Sequence, residues 1–319
     1  MPPSIAAKPK DRSFRLVLTA LYRNKKYWWI LLMLELAILY IAVVGGLYLL
    51  QRKLLYYPDP RPPNLAAAQI PRAAAVQVPT HDGLSLLAWY CPATTKPDTV
   101  LLFHGNAGNL DYRADLMRPL CEAGYGVLAL AWRGYSGNAG RPSERGLNSD
   151  ADAAMAWLQQ NGIPPEQTVL YGESLGTALA VRAATEEPTV KGVMLLAPFT
   201  SMADAARAHF PWLGGLSRYL VRDRYDSLSR IGRLQAPLLI LHGEQDQTVP
   251  SLLGIKLFQA APAAKRLILY PQAGHTNLYN FGAGGDILVF LANPPLQTEV
   301  FDHGQPNIQK NTQQNQKNP

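Results

Sequence analysis

Apolar and polar positions along this chain fall into three patterns. The first is one uninterrupted apolar run, Tyr27 to Leu50, YWWILLMLELAILYIAVVGGLYLL, with a single charge at Glu35. As a helix it would extend about 36 Å at 1.5 Å per residue, enough to cross a hydrocarbon core of about 30 Å. Tyr27, Trp28 and Trp29 open it, and Tyr48, Tyr56 and Tyr57 lie at or just beyond its other end, as in an interfacial aromatic belt. Its length exceeds that of a signal-peptide core, so an uncleaved single-pass transmembrane anchor over 27–50 is expected. Residues 14–22, FRLVLTALY, read as a short interfacial helix.

The second pattern begins after the Pro-rich residues 51–72, which read as a linker. Residues 74–90 predict a hairpin turning at His81-Asp82-Gly83. Short Val/Leu-rich runs then predict strands at Thr99–Phe103, Gly126–Ala131, Thr168–Tyr171, Gly192–Leu196, Leu238–Leu241 and Arg266–Tyr270. Helix-like stretches lie between and after them at 110–122, 148–160, 175–186, 252–260 and 285–292. Continuously apolar strands alternating with helices predict an α/β fold, a mostly parallel sheet covered on both faces, with the hairpin at one edge. One domain is expected over 73–296, with a small, partly helical cap inserted at about 199–234. The third pattern is a Gln/Asn-rich, weakly apolar stretch over 297–319, which reads as a disordered tail.

Charge changes the picture at the N-terminus. The net charge is +7, and residues 1–61 hold ten Lys/Arg against Asp11, Glu35 and Asp59, so that end carries the whole excess. The remaining domain is neutral and has no basic footprint for a nucleic acid. Seven Lys/Arg precede the apolar run, so residues 1–26 are expected to be a basic cytoplasmic or interfacial segment, with the domain on the extracytoplasmic side. Cys91 and Cys121 suit neither a disulfide framework nor a metal site.

The chemistry centres on Gly172-Glu173-Ser174-Leu175-Gly176. Gly-x-Ser-x-Gly alone is a short pattern, but here it joins a predicted strand to a predicted helix. Flanking glycines there permit a strained turn that exposes the serine Oγ. A serine hydroxyl needs a base, and six histidines compete. His81 lies in the hairpin turn, His104 and His242 in His-Gly pairs at strand ends, His209 in the insertion and His303 in the tail. His275, on the loop after the last predicted strand, can return to the serine. The orienting acid should fall between serine and histidine in chain order. Asp246 does, with Glu244 nearby and Asp204 as a rival that better suits a helix cap. Oxyanion-hole donors are expected from the backbone N–H groups of Leu175 and Asn106, the latter in His104-Gly105-Asn106-Ala107-Gly108. Arg133 in Trp132-Arg133-Gly134-Tyr135 is a candidate substrate contact, though an arginine on such a turn is more often structural.

These motifs carry a resemblance. HGNAGN, WRGYSGNAGRPSERGL, GESLG, APFTSM, LLILHGEQDQTVP and GAGH, with LYYPDPRPPN after the apolar run, resemble the membrane-anchored α/β-hydrolase-domain serine hydrolases over roughly residues 54–293. That group is similar to acylglycerol lipases, acyl-protein thioesterases and serine aminopeptidase-like hydrolases. The resemblance implies the α/β-hydrolase fold, a triad of Ser174, Asp246 and His275, and acyl-ester or thioester substrates of small-molecule or lipid type. A peptidase or amidase using the same triad is the second reading, and a catalytically silent membrane-bound scaffold the third. No metal or cofactor is called for by any motif, and the sequence is silent on oligomeric state.

Overall fold

The apolar runs pair side by side in a computed structural model that describes residues 25–262 and 264–303. In chain order the elements are helix α1 (Lys25–Leu55), β1 (Tyr57–Pro58), α2 (Leu65–Ala68), β2 (Ala74–Pro79), β3 (Ser85–Cys91), β4 (Thr99–Phe103), β5 (Ala107–Gly108), α3 (Ala114–Glu122), β6 (Gly126–Leu130) and α4 (Glu144–Gln160). They continue with β7 (Thr168–Glu173), α5 (Leu175–Glu186), β8 (Gly192–Leu196), α6 (Met202–His209), α7 (Ser217–Leu220), α8 (Leu228–Ile231), β9 (Leu238–Gly243), α9 (Ser251–Ala260), β10 (Lys265–Tyr270), α10 (Ala283–Ala292) and β11 (Glu299–Asp302).

Nine strands form one sheet in the order β11-β10-β9-β8-β7-β4-β6-β3-β2. Neighbours from β6 to β11 run parallel, while β3 and β2 pair antiparallel at the hairpin edge. Side chains alternate between two cores, one per face. Leu101 and Phe103 of β4 join one core, and Val100 and Leu102 join the other. Leu238 and Ile240 of β9 divide from Leu239 and Leu241 in the same way. A strand buried on both faces must be apolar at every position, which is why these strands read as continuous runs.

Helix α1 belongs to the first of two compact units, up to Gln51, and enters the second at Arg52. Its stretch Tyr27–Leu55 is long and apolar enough to cross a membrane by length and composition, and an N-terminal signal sequence would pass the same test. The expected interfacial helix at 14–22, with most of the basic segment, lies outside the described residues, as does the tail after residue 303.

Two expectations need correction. Residues 51–72, expected as a linker, carry the end of α1, strand β1 and helix α2. Tyr56 is buried, and the N–H groups of Tyr57 and Asp59 donate to the carbonyls of Asn106 and Gly108 (2.9 and 3.1 Å). The prolines misled because Pro58 falls at a position where β1 needs no donor. At the other end, 299–302 of the expected tail form β11, parallel to β10, with Arg266 paired to Glu299 at 2.6 Å. Four residues with charged ends at a sheet edge give no apolar run to detect.

Arg133 is a structural residue. Its backbone N–H and its Nε and Nη2 donate to Asp150, and its Nη1 and Nη2 donate to Asp82. This fastens α4 to the hairpin turn. Asp150 is fully buried, so an unpaired charge in place of this pair would be costly. Asp150→Ala is therefore expected to lower the unfolding free energy by about 3–5 kcal/mol, measured by denaturant titration of the full chain.

Candidate active site

Strands β4, β7, β9 and β10 all end on the same edge of the sheet, and the loops leaving them meet there. The strand order turns at β4, flanked by β6 and β7, and such a reversal opens a crevice beyond the C-terminal strand ends. Ser174 stands in it as the single residue between β7 and α5, with φ 49° and ψ −114°. That left-handed backbone is a strained position for any residue but glycine. It is held by the Ser174 N–H donating to Leu196 O (2.9 Å) and by Thr177, whose N–H (3.0 Å) and Oγ1 (2.6 Å) donate to the Ser174 carbonyl.

The flanking glycines act differently from expectation: neither has positive φ. They are needed for close approach. A Cβ on Gly172 would stand 2.5 Å from Thr177 Cα, and one on Gly176 would stand 1.9 Å from the Phe103 carbonyl oxygen. The serine carries the strain while the glycines let α5 seat against β7 and β4.

Ser174 makes no side-chain cap to its own helix. Its Oγ instead faces His275 Nε2 at 3.0 Å, and His275 Nδ1 lies 2.7 Å from Asp246 Oδ2. A carboxylate only accepts hydrogen bonds, so Nδ1 carries the ring proton and Nε2 is left to accept from the serine hydroxyl. The loop bearing His275 is fixed by the Gly274 N–H donating to Asn277 Oδ1 (2.7 Å).

Asp246 has a fully buried side chain, against 16% exposure for His275. Its Oδ1 accepts from the N–H groups of Thr248 (2.8 Å) and Val249 (2.7 Å). Burial by itself would raise this carboxyl. Hydrogen bonds from His242 and His275 and from the Val249 N–H outweigh it and hold the group well below the ordinary carboxylate range. His242 Nε2 donates to Val249 O (2.9 Å) and lies 3.5 Å from Asp246 Oδ2, so it braces the acid's loop.

The rivals are occupied elsewhere. Asp204 accepts from Thr200 Oγ1, Ser201 Oγ and Arg207, and Ser201 Oγ accepts from the Asp204 N–H, a cap on α6. His209 Nε2 donates to Thr248 O (2.8 Å), which ties the insertion to the acid's loop. His81 pairs with Ser149 Oγ (3.1 Å), and Glu244 is exposed.

Leu175, the first residue of α5, has an N–H with no acceptor inside its helix. Gly105 lies beside the serine: a Cβ there would be 3.5 Å from Ser174 Cβ. Asn106 follows directly, with its carbonyl and its side-chain amide both engaged. One neighbour escaped the sequence reading. Glu173, between the glycine and the serine, pairs with Arg113 at 3.4 Å, and only its place beside Ser174 would have signalled it.

The family model for the alpha/beta hydrolase fold matches residues 98–225. An uncharacterized protein of Mycobacterium tuberculosis is 40% identical over 239 residues, 74% of this chain and 84% of that protein. The lysophosphatidylserine lipase ABHD12 of Danio rerio is 34% identical over 197 residues, 56% of this chain and 51% of that protein. Among solved structures, the Pyrococcus furiosus esterase Pf2001 superposes with a TM-score of 0.62 at 17% identity, covering 75% of this chain and 99% of that one.

His104, buried under the Asn106 loop, sets a pH dependence. Its Nδ1 donates to Gly105 O (2.8 Å) and its Nε2 accepts the Trp132 N–H (3.4 Å). Burial, then the charge of Arg113, push it down to about 3, against the opposing hydrogen bond to Gly105. An unfolded histidine titrates near 6.5, so between these values the unfolded chain binds the extra proton. Stability from this group is full above about pH 6.5 and is lost as pH falls toward 3. His104→Gln is expected to flatten that part of the profile, read from denaturation midpoints across pH 3–7.

Proposed function

Because the chain belongs to the alpha/beta hydrolase fold family, we propose that it is a serine hydrolase that cleaves carboxylic esters or thioesters of acyl groups. The observation that carries this reading is the unbroken line from Ser174 Oγ to His275 Nε2 (3.0 Å) and from His275 Nδ1 to Asp246 (2.7 Å). In the reaction His275 takes the Ser174 proton as Oγ attacks the acyl carbonyl. Asp246 keeps the imidazole in the right tautomer and stabilises the imidazolium. The N–H groups of Leu175 and Asn106 hold the oxyanion, the helix N-terminus adding favourable potential. The tetrahedral adduct collapses as His275 gives its proton to the leaving alcohol or thiol. Water, activated by the same histidine, then releases the acid and restores Ser174.

A lipid-like acyl substrate is supported by the lysophosphatidylserine lipase among the relatives and by the apolar helix at the N-terminus. We place that helix across a membrane as an anchor, with the domain on the extracytoplasmic side, on the strength of the seven Lys/Arg before it.

Ser174→Ala is expected to abolish labelling by a fluorophosphonate probe and to lower kcat on a short-chain p-nitrophenyl ester by about 10⁴-fold or more. A well-folded wild type that neither labels nor turns over would overturn the proposal. Protease added to sealed cells from the extracytoplasmic side is expected to digest residues 70–319. Digestion only from the cytoplasmic side would reverse the orientation.

A further inference from the structure

The chain that leaves α1 runs directly along the loop carrying Asn106. Asn106 Nδ2 donates to the Leu55 carbonyl (2.6 Å). The Asn106 carbonyl accepts from the Tyr57 N–H (2.9 Å) and from the Tyr135 hydroxyl (2.7 Å). Immediately afterwards Ala107 and Gly108 pair with Tyr57 and Pro58, the Asp59 N–H donates to Gly108 O (3.1 Å), and Asn109 Nδ2 donates to Asp59 Oδ2 (3.3 Å).

The N–H of Asn106 belongs to the planar peptide whose carbonyl is that of Gly105. That carbonyl is held from one side by His104 Nδ1. The next peptide and the Asn106 side chain are held from the other side by Leu55, Tyr57 and Tyr135. The direction of the Asn106 N–H is therefore fixed between a buried histidine and the segment that follows the helix. That segment has its own root: Arg52 Nε and Nη2 each reach Asp223 at 2.8 Å, and the Tyr56 hydroxyl bonds Asp223 Oδ2 (3.1 Å) and the Tyr225 hydroxyl (2.8 Å).

We propose that Leu55–Asp59 is a strap that positions the oxyanion-hole N–H of Asn106, so that turnover depends on the segment joining the apolar helix to the domain. The inference rests on the serine-hydrolase reading above. Strap residues do not touch substrate; they act through Asn106. An oxyanion donor counts in the transition state and little in the ground state. A misplaced donor therefore lowers kcat and leaves KM nearly unchanged, whereas a merely structural role would change only the number of folded sites.

The test uses the full chain in detergent micelles, p-nitrophenyl butyrate as substrate, and fluorophosphonate labelling to count competent sites. Asn106→Asp sets a carboxylate against the Leu55 carbonyl, and Tyr135→Phe removes one hydroxyl. Each is expected to lower kcat per labelled site about 10–100-fold with KM within about two-fold. The inhibition constant of a trifluoromethyl ketone, which mimics the oxyanion, should rise by the same factor. Arg52→Met, which never meets the loop, should act in the same direction by about 3–10-fold. Should Asn106→Asp fail to fold, Arg52→Met, which loosens the root of the strap itself, decides. Variants that keep kcat per labelled site, or lose it without weakening the ketone, would overturn the strap while wild-type turnover stands. A wild type that neither labels nor turns over defeats the underlying reading instead, and the strap with it.

Discussion

Helix α5 sits so close to the end of β4 that no side chain could occupy position 176: a Cβ there would stand 1.9 Å from the Phe103 carbonyl oxygen. With the helix seated at that depth, one residue must turn the chain from β7 into α5, and Ser174 does so at φ 49°. Such a backbone costs about 1–3 kcal/mol. The core on each face of the sheet overdetermines the positions of strand and helix, so the turn cannot relax. The same close approach raises Oγ above the strand ends and sets the Leu175 N–H at the start of the helix. It also brings the loop after β4 against the serine. A change in seating depth would disturb all of these together.

The acid in the crevice answers to a second constraint. A fully buried carboxylate is tolerated only with its oxygens satisfied, and Asp246 draws its donors from three places. Thr248 and Val249 come from its own loop, His242 from the end of β9, and His275 from the loop after β10. The local pair satisfies Oδ1 and leaves Oδ2 to the histidines. His275, with one ring nitrogen committed to a rigid partner, is left able to swing little and to face Ser174 with the other. Protein stability and the order of the proposed proton transfers thus draw on the same hydrogen bonds.

Much of this was legible in the sequence because the sheet imposes a strong pattern. Strands such as β4 must be apolar on both faces, and the residues of interest fall at fixed points just past their ends. Ser174, Asp246 and His275 could be picked out by that placement and by their order along the chain. What escaped was set by pairing across long separations. The Leu55 carbonyl and the Asn106 amide are 51 residues apart, and nothing in either tripeptide announces the bond. Helix α4 begins at Glu144, four residues before the sequence suggested, because Ser143 caps it by accepting from the Gly146 N–H. The polar, glycine-bearing first turn hid that start. The roles of the two glycines beside Ser174 were likewise invisible, since sequence shows a missing side chain without showing what fills its space.

The short ribbon of β1 and β5 has one property that follows from where its prolines fall. Tyr57 and Asp59 spend their N–H groups on Asn106 and Gly108, so the residues between and after them, Pro58 and Pro60, face away from β5. Proline has no N–H. The outer margin of the ribbon therefore lacks the donors that a third strand would need, and it cannot serve as a template for a neighbouring chain. A sticky margin on an exposed ribbon would invite edge-to-edge aggregation, and two imino acids are enough to deny it.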